Sequence, residues 1–271
     1  MNRPAWKKLR LTACSVAFSV WGIASAVAQP FTPIEGEGLS DRAGRKVSID
    51  ELPPCPPALT EILDRSNVTF RVGGLRPSII RPSRSTGSVD QKFDAETQFR
   101  LRYSFNSRCR WKMVGDRPRR RMKVDVTFDQ IELVVEHTVW LRSLPPIESF
   151  WRSPLVLHEF DHLRLSSDRR LKALFERKVR SHQSTVLSEA ETRQLLEDDG
   201  VSSVSRLSLS SRVGGDHAKS WVGSVVQKEF DSVVELVEIR YAELDRVTQH
   251  GLRPVPVESE LASWLTQDAD E

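Results

Sequence analysis

Net charge is what this sequence has least of once its opening residues are set apart. Over 271 residues it holds 40 Lys and Arg against 37 Asp and Glu. The first ten, MNRPAWKKLR, hold four of the basic residues and no acid, which leaves 36 against 37 in the remainder. A chain so near neutrality lacks the broad positive field that draws phosphate backbones, so a nucleic-acid partner has little electrostatic support. Cysteine is equally scarce. Of three, Cys14 lies in the opening segment, and Cys55 and Cys109 are left. No internal repeat is visible, which argues against a solenoid or propeller array.

The opening segment accounts for the missing charge. After the basic decapeptide comes LTACSVAFSVWGIASAVA, apolar and uncharged, ending in Ala26-Val27-Ala28. Small residues at those two alanine positions are what a signal peptidase reads, so residues 1–28 are expected to be a signal peptide. The competing interpretation is an uncleaved anchor, since 18 apolar residues nearly span a bilayer. With cleavage the mature protein is expected to be periplasmic or secreted, with no stable membrane insertion. In that oxidising setting the pair Cys55 and Cys109 is expected to form one disulfide. Closing a loop of about 54 residues is worth ~4 kcal/mol on chain-entropy grounds.

Residues 29–65 read as a Pro-rich arm with a short helix in ALTEILDRS. Strands begin with NVTFRVGG and continue through ETQFRLRYSF and RCRWKMV. In RMKVDVTFDQIELVVEHTVWL, Met122, Val124, Val126 and Phe128 alternate, and Ile131, Leu133 and Val135 resume one step out of phase. A bulge near Asp129 and Gln130 would account for the slip. The arginines of GDRPRRRMK read as a solvated hairpin tip. From Pro154 to about Gln183 the pattern turns helical, with Pro154 suited to a first turn. LSEAETRQLLEDDG is a further helix. Residues 201–215, rich in serine, read as a connection or flap over a cleft. A long helix then carries Val222, Val226, Phe230, Val233, Val237, Tyr241 and Leu244 at three-four spacing, and Gly251 is placed to stop it. The expected fold is α+β: an antiparallel sheet packed on the helix at Pro154, closed by the long late helix, in one domain over 66–252 with a tail at 253–271.

The chemistry concentrates in HEFDH, residues 158–162. Steps of about 100° put residues four apart on one helix face a turn apart, so the imidazoles of His158 and His162 can converge on one cation. Glu159 then stands beside that cation and not on it, where a carboxylate can take a proton from attacking water. Nitrogen donors with an open position favour Zn2+. A catalytic zinc wants a third protein ligand. Asp168 would rotate off the face of a continuing helix, His182 and His217 sit in polar stretches, and His137 lies on the last strand. His250, at the end of the long helix before Gly251, is the favoured candidate.

Trp151 followed by six residues and HEFDH, after a strand region holding CRW and the LPP step, resembles a bacterial family of exported zinc-dependent proteases. That family carries a second motif, Tyr-Asp-x-x-Thr-x-His-Gly. Here LDRVTQHG matches it at Asp245, Thr248, His250 and Gly251, with Leu244 in place of the tyrosine and Tyr241 one turn earlier. The resemblance covers about residues 66–252. It implies a zincin-like fold, His250 as third zinc ligand, Asp245 as a partner hydrogen-bonded behind a ligand, and Glu159 as catalytic base. The expected activity is zinc-dependent hydrolysis of a peptide or related amide bond, in a protein or cell-wall substrate of the envelope. The alternative is a non-catalytic envelope binding or scaffold protein in which the HEFDH helix is structural.

Overall fold

The alternating stretches fold as strands. The computed structural model describes residues 16–20, 44–76, 94–115, 121–198 and 215–266. In chain order the elements are β1 (Val16–Val20), β2 (Arg45–Val47), α1 (Pro57–Ser66), β3 (Val68–Val72), β4 (Ala95–Val114), β5 (Arg121–Leu141), α2 (Pro154–Ser166), α3 (Arg169–Arg180), β6 (Ser184–Val186), α4 (Glu189–Asp198), α5 (Gly215–Thr248) and α6 (Glu260–Thr266). The fold is α+β. One sheet has the order β1-β4-β5-β3-β2, with β6 also on β5. It is mixed and not antiparallel throughout as expected, because β3 runs parallel to β5, Val68 opposite His137 and Val72 opposite Leu141. Alternation within a strand specifies which side chains turn inward. It leaves open which neighbour the strand selects, or in which direction.

The chain also divides into two units where a single domain over 66–252 was expected. The first comprises Met1–Gly22, Ser104–Ile131 and Arg177–Gln227, and the second comprises Ile23–Tyr103, Glu132–Glu176 and Lys228–Glu271. In the first unit Met122, Val124, Val126 and Phe128 are buried at every second position of β5, with the Phe128 ring 6.1 Å from that of Phe105. Asp129 and Gln130 then both face solvent before Ile131 turns inward, which is the phase slip read from the sequence. The Ser188 hydroxyl and the Glu191 carboxylate cap the start of α4 reciprocally. Of the expected leader, only Val16–Val20 is described, as β1 antiparallel to β4. The tip arginines 117, 119 and 120 and the Ser-rich stretch 201–214 lie outside the described residues.

The second unit holds the HEFDH helix. Its core gathers Val47, Leu52, Leu59, Ile62, Phe70, Val139, Leu141, Phe150, Trp151, Val156, Phe160 and Leu163. Residues 44–65 are therefore built into the fold and are not an arm: β2 pairs with β3, and α1 packs on α2. The tail is docked as well. Leu261 of α6 packs with Leu165 and Leu244, and the guanidinium groups of Arg170 and Arg240 lie 3.8 and 3.3 Å from the centre of the Trp264 ring. The expected helix over 154–183 is two helices. Ser167 turns its hydroxyl back onto the Leu163 carbonyl, and Asp168 accepts a hydrogen bond from the Arg170 amide at 2.7 Å, capping α3.

The expected disulfide is absent: Cys55 and Cys109 are free thiols. Cys55 packs on the core of the second unit, and Cys109 is buried within the first. Cys55 is half-buried and Cys109 buried, and burial pushes both thiols up. Among the described residues no helix is long and apolar enough to cross a membrane.

Candidate metal centre

Helix α2 is buried on more than one side, and this holds its two histidines in place. Phe160 and Leu163 enter the core described above, and Leu165 faces the opposite cluster with Leu244. His158 and His162 share the remaining face. Their rings stand 4.8 Å apart between centres, and each residue is 4 % exposed. The second contribution comes from the end of α5. Its last turns supply Asp245 and Thr248. The chain then reverses through three left-handed residues, Gln249 (φ 50°), His250 (φ 56°) and Gly251 (φ 83°).

Left-handed backbone at a non-glycine residue costs roughly 1–3 kcal/mol, so two in succession need support. Burying Leu165, Leu244 and Leu261 against each other, each worth roughly 2 kcal/mol, anchors both sides of the turn. The Arg253 amide donates to the Thr248 carbonyl at 2.8 Å and closes the turn. Gly251 is required on a second ground. A Cβ there would lie 2.8 Å from Cβ of His158 and 3.0 Å from its Cγ. The turn is thus pressed against the first histidine with no space for a methyl group.

These elements bring four side chains to one point. Oδ1 of Asp245 lies 3.0 Å from Nε2 of His158, 3.1 Å from Nε2 of His162 and 3.2 Å from Nδ1 of His250. The donor atoms of His158, Asp245 and His250 all stand within 4.8 Å of one another, and His162 joins this group through its contact with Asp245. The side chains of His158 and His162 form the closed floor, while those of Asp245 and His250 are 34 % and 42 % exposed and form the open side. Asp245 was expected behind the rings. It faces their inner nitrogens instead, and Thr248 holds the outer place. The Thr248 hydroxyl donates to the Leu244 carbonyl at 2.7 Å, so its oxygen is left to accept from the Gly251 amide at 3.2 Å and from Nδ1 of His158 at 3.4 Å. Nδ1 of His158 therefore carries a hydrogen, and its Nε2 points inward at Asp245, to which it donates when it too carries a hydrogen and beside which its lone pair is free for a cation when it does not.

Glu159 is 3 % exposed, and among the described residues nothing hydrogen-bonds its Oε2 or the Nδ1 of His162. Burial raises the Glu159 carboxyl above the usual carboxylate range, against the opposing pull of His162 and His158. Burial would raise Asp245 too, but hydrogen bonds from His158 and His162, with the charges of His162 and His250, hold it well below that range. For His162, burial works downward and is outweighed by Asp245, Glu159 and Asp161, so its affinity for a proton is raised. Two carboxyl groups and three imidazoles in one enclosed space call for a positive charge among them, carried by a proton or by a metal ion.

The other sequence candidates go elsewhere. Asp168 is 3 % exposed and grips Arg170 with both oxygens, at 3.0 and 2.6–2.9 Å. His137 gives Nδ1–H to the Ser66 carbonyl at 2.5 Å and takes the Ser166 hydroxyl on Nε2 at 2.6 Å. His182 belongs to the first unit, and the side chain of His217 lies outside the described residues. Tyr241 does not replace the missing phenol of the second motif. Its hydroxyl is 2.7 Å from Ser166, its ring packs behind His162 at 4.3 Å, and burial pushes the phenol up. The role of Thr248 was missed in the sequence. Its position three residues before Gly251, one turn after Leu244, was the available signal. Comparison with protein-family models, with curated proteins and with solved structures finds no match to this chain.

Proposed function

We infer that the protein is an exported zinc-dependent hydrolase with a zincin-like centre, acting on a peptide or related amide bond in the cell envelope. The observation that carries this reading is the gathering of three ring nitrogens, from His158, His162 and His250, within 3.2 Å of one point. Two further observations support the fit. Among the described residues nothing bonds Nδ1 of His162 or Oε2 of Glu159, polar atoms whose burial is otherwise uncompensated. Donors of this kind suit a borderline ion such as Zn2+. Held by these residues, zinc would supply an acidified water and a polarised carbonyl.

The remaining work belongs to side chains. Glu159 is the base that takes the proton of the attacking water and returns it to the departing amine. A carboxyl raised by burial is better matched to that task than an exposed one. Thr248 fixes the tautomer of His158, and Gly251 lets the His250 turn close on that ring. The Ala26-Val27-Ala28 sequence supports export of the chain to the periplasm or medium.

Metal analysis of the purified protein beside His162→Ala tests the proposal. Near-stoichiometric zinc is expected in the wild type, with loss in the variant; a metal-free wild type would refute it. One observation favours a second reading, a non-catalytic envelope binder with a structural cluster: Asp245 alone already contacts all three rings. That reading expects no zinc, and no change in melting temperature with chelator.

A further inference from the structure

The Asp245 carboxylate lies on the wrong side of the histidines to be a supporting partner. A residue that orients a metal-bound imidazole bonds the ring nitrogen facing away from the metal. For His158 that nitrogen is Nδ1, and Thr248 faces it. For His162 it is Nδ1 again, and no described residue bonds it. Asp245 reaches the other nitrogen in both rings, the inward Nε2. Spacing makes the same point. Donor atoms around one tetrahedral zinc, each about 2.0–2.1 Å from the ion, stand roughly 3.3 Å from one another. Oδ1 of Asp245 stands 3.0, 3.1 and 3.2 Å from the three imidazole nitrogens, at ligand-to-ligand distance from every one.

We propose that Asp245 is itself a ligand, occupying the fourth position of the metal centre in the resting protein and yielding it when water or substrate enters. This rests on the metal reading of the site given above. Among the four, the two donors that reach solvent are Asp245 and His250, and Asp245 is carried on regular helix while His250 is locked by a left-handed turn. Asp245 is therefore the donor that can leave by a change of side-chain rotamer alone. The site then has two states, a closed one with four protein ligands and an open one with three, and the carboxylate competes with any incoming anion for the same position.

Cobalt(II) reports coordination through its visible absorption and tests this without any substrate. The full-length protein, Asp245→Asn and Asp245→Ala are each loaded with cobalt(II), and azide is titrated into each. In the wild type, azide is expected to shift the visible band only at concentrations at least tenfold above those that shift Asp245→Ala. Both variants are expected to bind cobalt at least tenfold more weakly, with an altered band before azide is added. Identical spectra and affinities in the wild type and Asp245→Asn would overturn the proposal while leaving the three-histidine centre intact. Should the variants fail to fold, the wild-type titration decides: a band that shifts at low millimolar azide means an exchangeable water already holds the fourth position and refutes the proposal. Absence of cobalt binding in the wild type would remove the metal reading and this proposal together.

Discussion

Two histidine clusters, one wholly buried and one open on the side of Asp245 and His250, lie in the second unit, and they differ in how their hydrogen bonds close. In one, Tyr241 donates to Ser166, Ser166 donates to His137, and His137 donates to the Ser66 carbonyl. Every ring nitrogen has a partner, and the chain ends on backbone. Burial, together with the positive tendency of His162, holds His137 down to about 4, so it stays neutral. In the other, three imidazoles face one carboxylate oxygen while, among the described residues, a ring nitrogen and a glutamate oxygen go without a partner. The first cluster is complete as built. The second has more donors directed inward than its single acceptor can use well, which is the condition under which a cation is bound. The contrast shows that burial of a histidine says little about its role, whereas the number of its nitrogens already satisfied says a great deal.

The comparison can be broken most sharply at Glu159. Glu159→Gln is expected to leave zinc content unchanged and to lower hydrolysis roughly 10²–10⁴-fold, the usual worth of a positioned general base; residual turnover near the wild-type rate would show that the second cluster is no more catalytic than the first. Next is the pH dependence of stability. The ordinary value for His137 is 6.5 and its folded value about 4, so as pH falls the unfolded chain takes up the proton first. Stability present above pH 6.5 should be lost progressively down to about 4, on the order of 3 kcal/mol in all. Urea denaturation of the metal-free protein across that range, beside His137→Asn, should show the slope reduced in the variant.

His250→Ala sharpens the contrast from the opposite side. Zinc affinity is expected to fall about 100-fold or more while stability without metal changes little, because His250 is exposed and sits outside the apolar clusters. Competition with a chromogenic chelator measures the first and urea denaturation the second. The smallest effect is expected for Thr248→Val, which keeps the shape and removes the acceptor that fixes the tautomer of His158. About a tenfold loss of zinc affinity is the usual consequence of removing such a partner, read by the same chelator competition.

How much of this was legible in the sequence depended on how local the information was. The face shared by His158 and His162 follows from helical spacing alone, and the out-of-phase step at Asp129 and Gln130 follows from strand alternation. The parallel pairing of β3 with β5 did not follow, because Val68 and His137 meet through contacts that no local pattern encodes. Residues 44–65 read as an arm because proline dominates there, while Leu52, Leu59 and Ile62 are in fact core residues. At the site, the motif around Asp245 and His250 named residues that the fold brings to the histidines, with Asp245 on the inner and not the outer side of the rings. Whether a carboxylate sits inside or outside a histidine cluster depends on the axial rotation of α5, which Leu244 sets by packing on Leu165.

The donors of the second cluster come from chain segments 87 residues apart, His158 and Asp245. Protein synthesis delivers the HEFDH helix long before the Asp245–Gly251 turn emerges. A growing chain, or one clipped after residue 244, has His158, Glu159 and His162 but neither Asp245 nor His250 to join them. If the proposed zinc chemistry operates, the order of the sequence would withhold it until the Asp245–Gly251 turn has been made and has folded.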